Sequence, residues 1–303
     1  MKMWGYHYVC VFKKSMHRWL RKDAAAAWGF LLPSGVGFAL FYLIPFAIGV
    51  LYSFMNSPVG GHFVGFDNYK NLLSSGSFRK AAWNTFYFSA VGVPLNLGLS
   101  LGLALLLNQS SYLRTWIRTA YVLPLVVPVA SIIWVWQIIF DWNGSLNAWL
   151  SYFGWERVDW MKSNGARYVV IIFYIWKNIG YNVILFLAGL QQIPKDYYET
   201  AQMEGAGSFR QFYSITLVYL TSTSFFVIII SIMNSFKVFR ETYLISGEYP
   251  QDRIYMLQHY MNNMFQSLDI QKLTAAANVM VIGILLIVFC LFTIERRFRR
   301  FME

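Results

Sequence analysis

A single charged residue, Lys177, interrupts the long apolar runs of this 303-residue chain. It falls about ten residues after Arg167, or roughly 15 Å along a helix, near the middle of a membrane-sized run. A lone ammonium at that depth costs roughly 2.5–3.5 kcal/mol on insertion scales. It therefore needs a polar cavity or a counter-charge, and the cavity is the reading favoured here. Lys177, Tyr181 and Ile184 stand at i, i+4 and i+7, beside an i, i+4 pair formed by Asn178 and Asn182. Trp176 adds an aromatic face, and Asn234 and Ser235 close a later run. Such a set could hold a sugar: ammonium and amide groups for the hydroxyls, an aromatic ring for the pyranose C–H face. Interhelical hydrogen bonding is the competing role for each Asn. An acidic or phosphorylated sugar would gain more from Lys177 than a neutral one.

Other chemistries lack their residues. No expected span holds Asp, Glu or His, and His7, His17, His62 and His259 fall in the N-terminal arm or the loops. A proton-coupled carrier needs an intramembrane group to titrate, so this reading is disfavoured. There is no H-E-x-x-H pair and no buried Asp pair for intramembrane proteolysis. A phosphate loop of the G-x-x-x-x-G-K-[ST] type is also missing, so any ATP and its magnesium must bind another chain. Cys10 and Cys290 have neither metal spacing nor an obvious partner. No metal and no cofactor is expected in this chain.

The elements that carry these residues are membrane spans. Hydrophobic residues make up 57% and charged residues 13%, against about half and a quarter in soluble domains. Six runs reach the roughly 20 residues that cross a bilayer, at about 28–54, 83–107, 119–140, 168–190, 213–235 and 273–294. The expected fold is all-α and polytopic, with a basic arm 1–27, a six-span domain 28–294 and a basic tail 295–303. Lys and Arg number fourteen on one side of this arrangement and ten, over longer loops, on the other. The positive-inside rule then puts both termini in the cytoplasm. The charge of +11 gathers at the chain ends, which fits a membrane surface better than a nucleic acid. Pro33, Pro45, Pro94, Pro124 and Pro128 are expected to kink their spans. The loop near 141–167 carries Trp142, Trp149, Trp155 and Trp160, which suits a helix lying at the membrane surface. The loop near 236–272 has room for a re-entrant or surface helix.

Between the fourth and fifth runs lies a polar island, 193–212. Pro194 suits a first helical position, Lys195 to Glu204 a short helix, and Gly205-Ala206-Gly207 a sharp turn. Ser208 and Gln211 suggest a capping box for the next helix. A short helix between spans is a natural docking peg. Glu199-Thr200-Ala201, Gly205, and Ile215-Thr216-Leu217 after nine intervening residues resemble the EAA loop of ABC-importer permeases. Thr200 stands where that pattern has Ala, and Val218 where it has Pro. The stretch Leu187 to Pro194 is similar to the sugar-permease branch, and Gly65 to Tyr69 and Tyr112 to Pro124 also resemble family segments.

The resemblance implies a MetI-like ABC permease fold and the permease subunit of an ATP-driven carbohydrate importer in a cell membrane. It implies three kinds of partner besides membrane lipid and the sugar: a second related permease, a cytoplasmic ABC ATPase dimer that binds ATP and magnesium, and an extracellular solute-binding protein. Glu199, Thr200, Ala201, Gly205 and Ala206 would form the ATPase-coupling contact, Glu199 as the polar docking group. The source would be bacterial, and the lack of a large inserted outer domain fits a Gram-positive one. The alternative is a membrane enzyme or biogenesis factor acting on a lipid-linked glycan. It would explain the polar stripe and the tryptophans, but not the glycine-broken peg.

Overall fold

The computed structural model describes residues 26–108, 124 and 127–302, with side chains as far as Arg297. Cys10 and most of the arm lie outside the described residues, as do Tyr112 to Leu123. Among the described residues the chain is helical apart from one isolated bridge between Met55 and Phe63.

Helix α1 (Ala26–Tyr52) is followed by α2 (Asp67–Ser74) and by α3 (Gly76–Asn108). Then come α4 (Val129–Phe140), α5 (Ser145–Tyr152) and α6 (Ala166–Leu190). The peg is α7 (Lys195–Met203), and α8 (Ser208–Gln211) runs through a π-helical turn, Phe212–Thr216, toward α9 (Thr221–Phe236). The chain ends with α10 (Phe239–Ser246), α11 (Leu257–Gln266) and α12 (Ile270–Met302). Among the described residues five helices are long and apolar enough to cross a membrane: α1, α3, α6, Thr221–Ser246 and the bulk of α12. The third expected run is described only at its C-terminal end, as the 12 residues of α4.

Two differences from expectation matter for the site. The fifth run was expected to stop at 235, where Lys237, Arg240 and Glu241 raise the polarity. The helix instead turns at Lys237–Val238 and resumes as α10, still within one membrane-length stretch. Apolar packing holds it there: Ile245 sits against Ile132, Ile133 and Phe173, so α10 folds back onto α4 and α6. The second difference is that this stretch carries an acid, Glu241.

The centre is the contact of α3 with α6. Phe88, Gly92, Asn96, Ser100 and Ala104 recur every four residues and are all buried. That spacing keeps them on one side of α3, and the small ones admit a close neighbour. A β-carbon on Gly92 would stand 3.4 Å from the Tyr174 ring. At Gly189 the fit is tighter, since a β-carbon would approach Thr223 Oγ1 to 2.7 Å and Leu220 Cδ2 to 2.8 Å. Below this seam Leu107, Phe186, Leu190, Ile193, Leu220 and Val227 join α3, α6 and α9. By contrast α1 exposes Phe30, Phe41 and Tyr42, as suits a face for lipid or for another helix.

The segment Gly65 to Tyr69 has a structural use. Gly65 takes a positive φ of 60° and opens α2. Asn68 Nδ2 donates to Ser53 O at 2.9 Å and Met55 O at 2.8 Å, satisfying carbonyls that α1 leaves unpaired at its end. Tyr69 Oη lies 2.7 Å from Ser53 Oγ, and Asn278 of α12 donates to both oxygens. Asn68→Ala strands two carbonyls and should destabilise the protein by about 1–3 kcal/mol. Thermal unfolding in detergent checks this. An unchanged midpoint would mean that water replaces the amide.

Candidate functional site

The site forms where α6, the end of α9 and the start of α10 meet. A cavity of about 180 Å³ is lined by Lys177 and Asn178 from α6, Asn234 from α9, and Lys237, Arg240 and Glu241 from the turn and α10. Phe173, Tyr174 and Val238 complete its wall. Lys177 Nζ donates to Glu241 Oε1 in a close ion pair, with Glu241 4% exposed. The counter-charge for the membrane lysine is thus in the same chain. Sequence reasoning missed it because Glu241 was assigned to a loop. The hint available was spacing: a 26-residue helix from Thr221 would have brought Glu241 inside a span.

Asn178 and Asn234 turn inward but bond to each other. Asn234 Nδ2 donates to Asn178 Oδ1 at 3.1 Å, and Asn178 Nδ2 donates to Tyr174 O at 2.8 Å. One layer away Asn182 donates to Ser231 Oγ at 3.0 Å and Tyr174 Oη donates to Ser231 O at 2.7 Å. These bonds tie α6 to α9 and leave no amide strained for a partner in the low-dielectric interior. Of the six residues expected along the path, Lys177, Asn178 and Asn234 line the cavity. Asn182 is buried in the interhelical bonds just described. Trp176 points away, half-exposed, with its ring against Trp136 and Phe173. Tyr181 is partly buried and is not among the lining residues.

A fully buried histidine holds α10 in place. His259 Nδ1 accepts from the Met256 backbone N–H at 3.3 Å, so the proton must sit on Nε2. Nε2 lies 3.3 Å from Thr242 Oγ1, whose hydroxyl is committed to the Val238 and Phe239 carbonyls, so Nε2 donates to it. Thr242 is the residue after Glu241, and the contact pins the ion pair from the loop side. Burial pushes the His259 pKa from 6.5 down to about 4. The unfolded chain therefore takes up this proton first. The stabilisation is full above pH 6.5 and is lost as pH falls toward 4. It should amount to about 3 kcal/mol, and His259→Gln should flatten that part of the acid-side loss of thermal stability. An identical acid limb in both proteins would contradict it.

The peg lies beyond the C-terminal end of α6. Pro194 sits just outside α7, at the capping position and not at the first helical one, and its extended ψ of 135° sets the entry angle. At the far end Gly205, with φ +81°, donates from its N–H to Gln202 O at 3.0 Å, and Ala206 N–H donates to Ala201 O at 2.8 Å. This paired pattern needs a left-handed residue, which glycine supplies without steric cost. The expected capping box at Ser208 is not formed. Gly207 caps α8, and Gln211 Nε2 reaches back to Ala206 O at 2.8 Å, fastening the turn from the opposite side.

Ile193 is buried in the α3–α6–α9 core, and Tyr198 Oη lies 2.9 Å from Thr216 Oγ1. The peg is thus anchored to the bundle along one edge. Its other edge presents Glu199, Thr200 and Gly205 to the surroundings, with Ala201 and Ala206 half-covered. Met203 and Phe209 stand out at 90% and 77% exposed. Such an apolar pair beside a carboxylate has the composition of a docking surface.

Known proteins share this architecture. The family profile described as "Binding-protein-dependent transport system inner membrane component" matches residues 96–303. The chain is 32% identical over 290 residues to the probable ABC transporter permease protein YesP of Bacillus subtilis, covering 92% of this chain and 93% of that protein. It is 31% identical over 284 residues to the sulfoquinovosyl glycerol transport system permease protein SmoG of Agrobacterium fabrum, covering 90% and 92%. In fold it is similar to a chain of a bacterial ABC transporter that imports the acidic polysaccharide alginate, with a TM-score of 0.79 at 24% identity, covering 95% of this chain and 98% of that one. These likenesses set aside the membrane-enzyme reading. They also replace the missing-acid argument against a proton-coupled carrier, which Glu241 removes. The chain belongs to the family of binding-protein-dependent transport system inner membrane components and is a permease subunit of an ABC transporter, not an enzyme.

Proposed function

We propose that this chain is one of two permease subunits of an ATP-driven carbohydrate importer in a bacterial cell membrane. It crosses the membrane six times with both termini in the cytoplasm, on the Gram-positive side of bacterial diversity. A cytoplasmic ABC ATPase dimer receives α7, and a solute-binding protein delivers the sugar at the opposite end. The observation that carries this reading is the exposed α7, rooted in the bundle core by Ile193 and Tyr198 and presenting Glu199 outward. Relatives named for sulfoquinovosyl glycerol, arabinooligosaccharides and trehalose or maltose support a carbohydrate cargo. The similar fold of a bacterial alginate ABC transporter in complex with an alginate pentasaccharide-bound periplasmic protein supports delivery by a binding protein.

The mechanism is alternating access. ATP closes the ATPase pair, α7 moves with it, and the α3–α6–α9 core transmits that motion to the cavity midway along α6. The two sites are linked as a two-state equilibrium biased from both sides. The test is affinity capture of the tagged chain in mild detergent, followed by mass spectrometry and reconstitution of what is captured. An ATPase, a second permease and ATP-dependent sugar uptake are expected. Recovery of the folded chain alone, with no ATP-dependent uptake, would overturn the reading.

A further inference from the structure

We propose that the cavity between α6, α9 and α10 receives a polyhydroxylated ligand bearing an anionic group, the anion facing Lys237 and Arg240 and a hydroxyl donating to Glu241 Oε2. The inference rests on the carbohydrate reading and narrows its substrate to acidic sugars.

Three observations carry it. The first is an unsatisfied acceptor. Glu241 Oε1 is taken by Lys177, while Oε2 is buried and has no hydrogen-bond partner. Buried carboxylate oxygens are normally bonded, and this one belongs to a residue that lines the cavity. A ligand that supplies an O–H there completes the set, as the hydroxyl of a sugar would. The second is the charge left over. Lys177 and Glu241 neutralise each other, but Lys237 and Arg240 line the same cavity and make no ion pair among the described residues. Two unpaired cations, both exposed, and no free anion give the mouth of the cavity a positive field. A neutral sugar would leave both unused, whereas a carboxylate, sulfonate or phosphate would meet charge-assisted donors, with Arg240 able to bind two oxygens at once. The third is size. About 180 Å³ holds roughly six waters, on the scale of one sugar ring, which leaves the anion toward the exposed Lys237 and Arg240.

Anionic lipid headgroups such as phosphatidylglycerol also combine phosphate with hydroxyls, and the test separates the two sources. The full importer complex is placed in phosphatidylcholine nanodiscs. Calorimetry then compares galacturonate, glucose 6-phosphate and a sulfonated glucose with their uncharged parent sugars. At least one acidic sugar is expected to bind about tenfold or more tighter than its parent, with a preference that shrinks in raised salt. The double variant Lys237→Gln/Arg240→Gln should bring that ratio below about twofold. Lys237→Arg with Arg240→Lys should restore it in large part. Glu241→Gln should weaken the sugars while keeping the salt-dependent preference for the charged form.

Equal binding of acidic and neutral sugars by the unaltered complex would overturn the inference and leave the carbohydrate reading standing. So would a preference that survives the double substitution. Binding of no sugar at all would sink both. Loss of sugar binding when phosphatidylglycerol is added to the nanodiscs would assign the site to a lipid headgroup and overturn the inference as well.

Discussion

Glu199→Ala is expected to leave the protein at near normal levels in the membrane and to cut ATP-driven uptake at least about tenfold. Glu199 is exposed, so its removal takes nothing from the core. Surface substitutions of this kind usually change stability by no more than about 0.5 kcal/mol. What is lost is a charged acceptor on the exposed edge of α7. A hydrogen bond to a charged group contributes about 1.5–3 kcal/mol, and about 1.4 kcal/mol is a factor of ten in an equilibrium. Glu199→Gln keeps the shape and one acceptor oxygen, so it should fall between the two. The decisive readout is the ratio of ATP hydrolysed to sugar transported, measured in reconstituted vesicles. A ratio and a rate equal to the unaltered importer would remove the coupling role assigned to α7. The turn offers an independent check. Gly205→Val forces a β-branched residue to φ +81°, which should misplace Glu199 and reproduce the uncoupling with Glu199 intact.

The peg was legible in the sequence because its signals are local. Glycine at a left-handed turn, a short polar helix after proline and a fixed spacing to the next apolar run all lie within about twenty-five residues. Each is set by backbone geometry that neighbours cannot easily override. Even here the side-chain detail went another way: Gln211 fastens the turn through Ala206 O, where a capping box was expected. The cavity was only half legible. Lys177 and Asn234 stand out by composition, since a polar group in an apolar run is conspicuous. Glu241 and His259 do not, because each looks like an ordinary loop residue until α10 folds back. That fold-back depends on Ile245 meeting Ile132 and Phe173, contacts about a hundred and about seventy residues apart in the chain. No local pattern encodes such a meeting. In the tryptophan-rich loop a short helix, α5, forms around Trp149. Its fold is set by Asn147, whose side chain bonds the Asp141, Trp142 and Val158 carbonyls and accepts from Trp160. One buried amide thus organises a loop that composition had marked only as aromatic.

Lys177→Met should be the most destabilising single change in the site. Side-chain exposure is 22% for Lys177 and 6% for Glu241. Breaking a buried pair by removing one partner costs about 3–5 kcal/mol, because the remaining charge is left without compensation. Glu241 would then carry two unsatisfied oxygens where it now has one. The expected outcome is a clearly lower thermal midpoint in detergent, together with loss of uptake and no release of the ATPase from its resting rate. The double variant Lys177→Met/Glu241→Leu removes both charges at similar volume. Such replacements are often neutral or stabilising, so the midpoint should recover most of the loss while uptake stays absent. That split is the informative part. Stability returning without transport means that the pair serves the cargo and not only the fold. Recovery of both would make the pair structural, and wild-type uptake in Lys177→Met alone would remove the lysine from the path. A double-mutant cycle with little coupling energy would contradict the buried pair itself, since contacting residues couple by about 0.5–3 kcal/mol. The argument turns on dielectric. The same two charges at a water-exposed surface would be worth about 1 kcal/mol at most, too little to separate the single from the double variant.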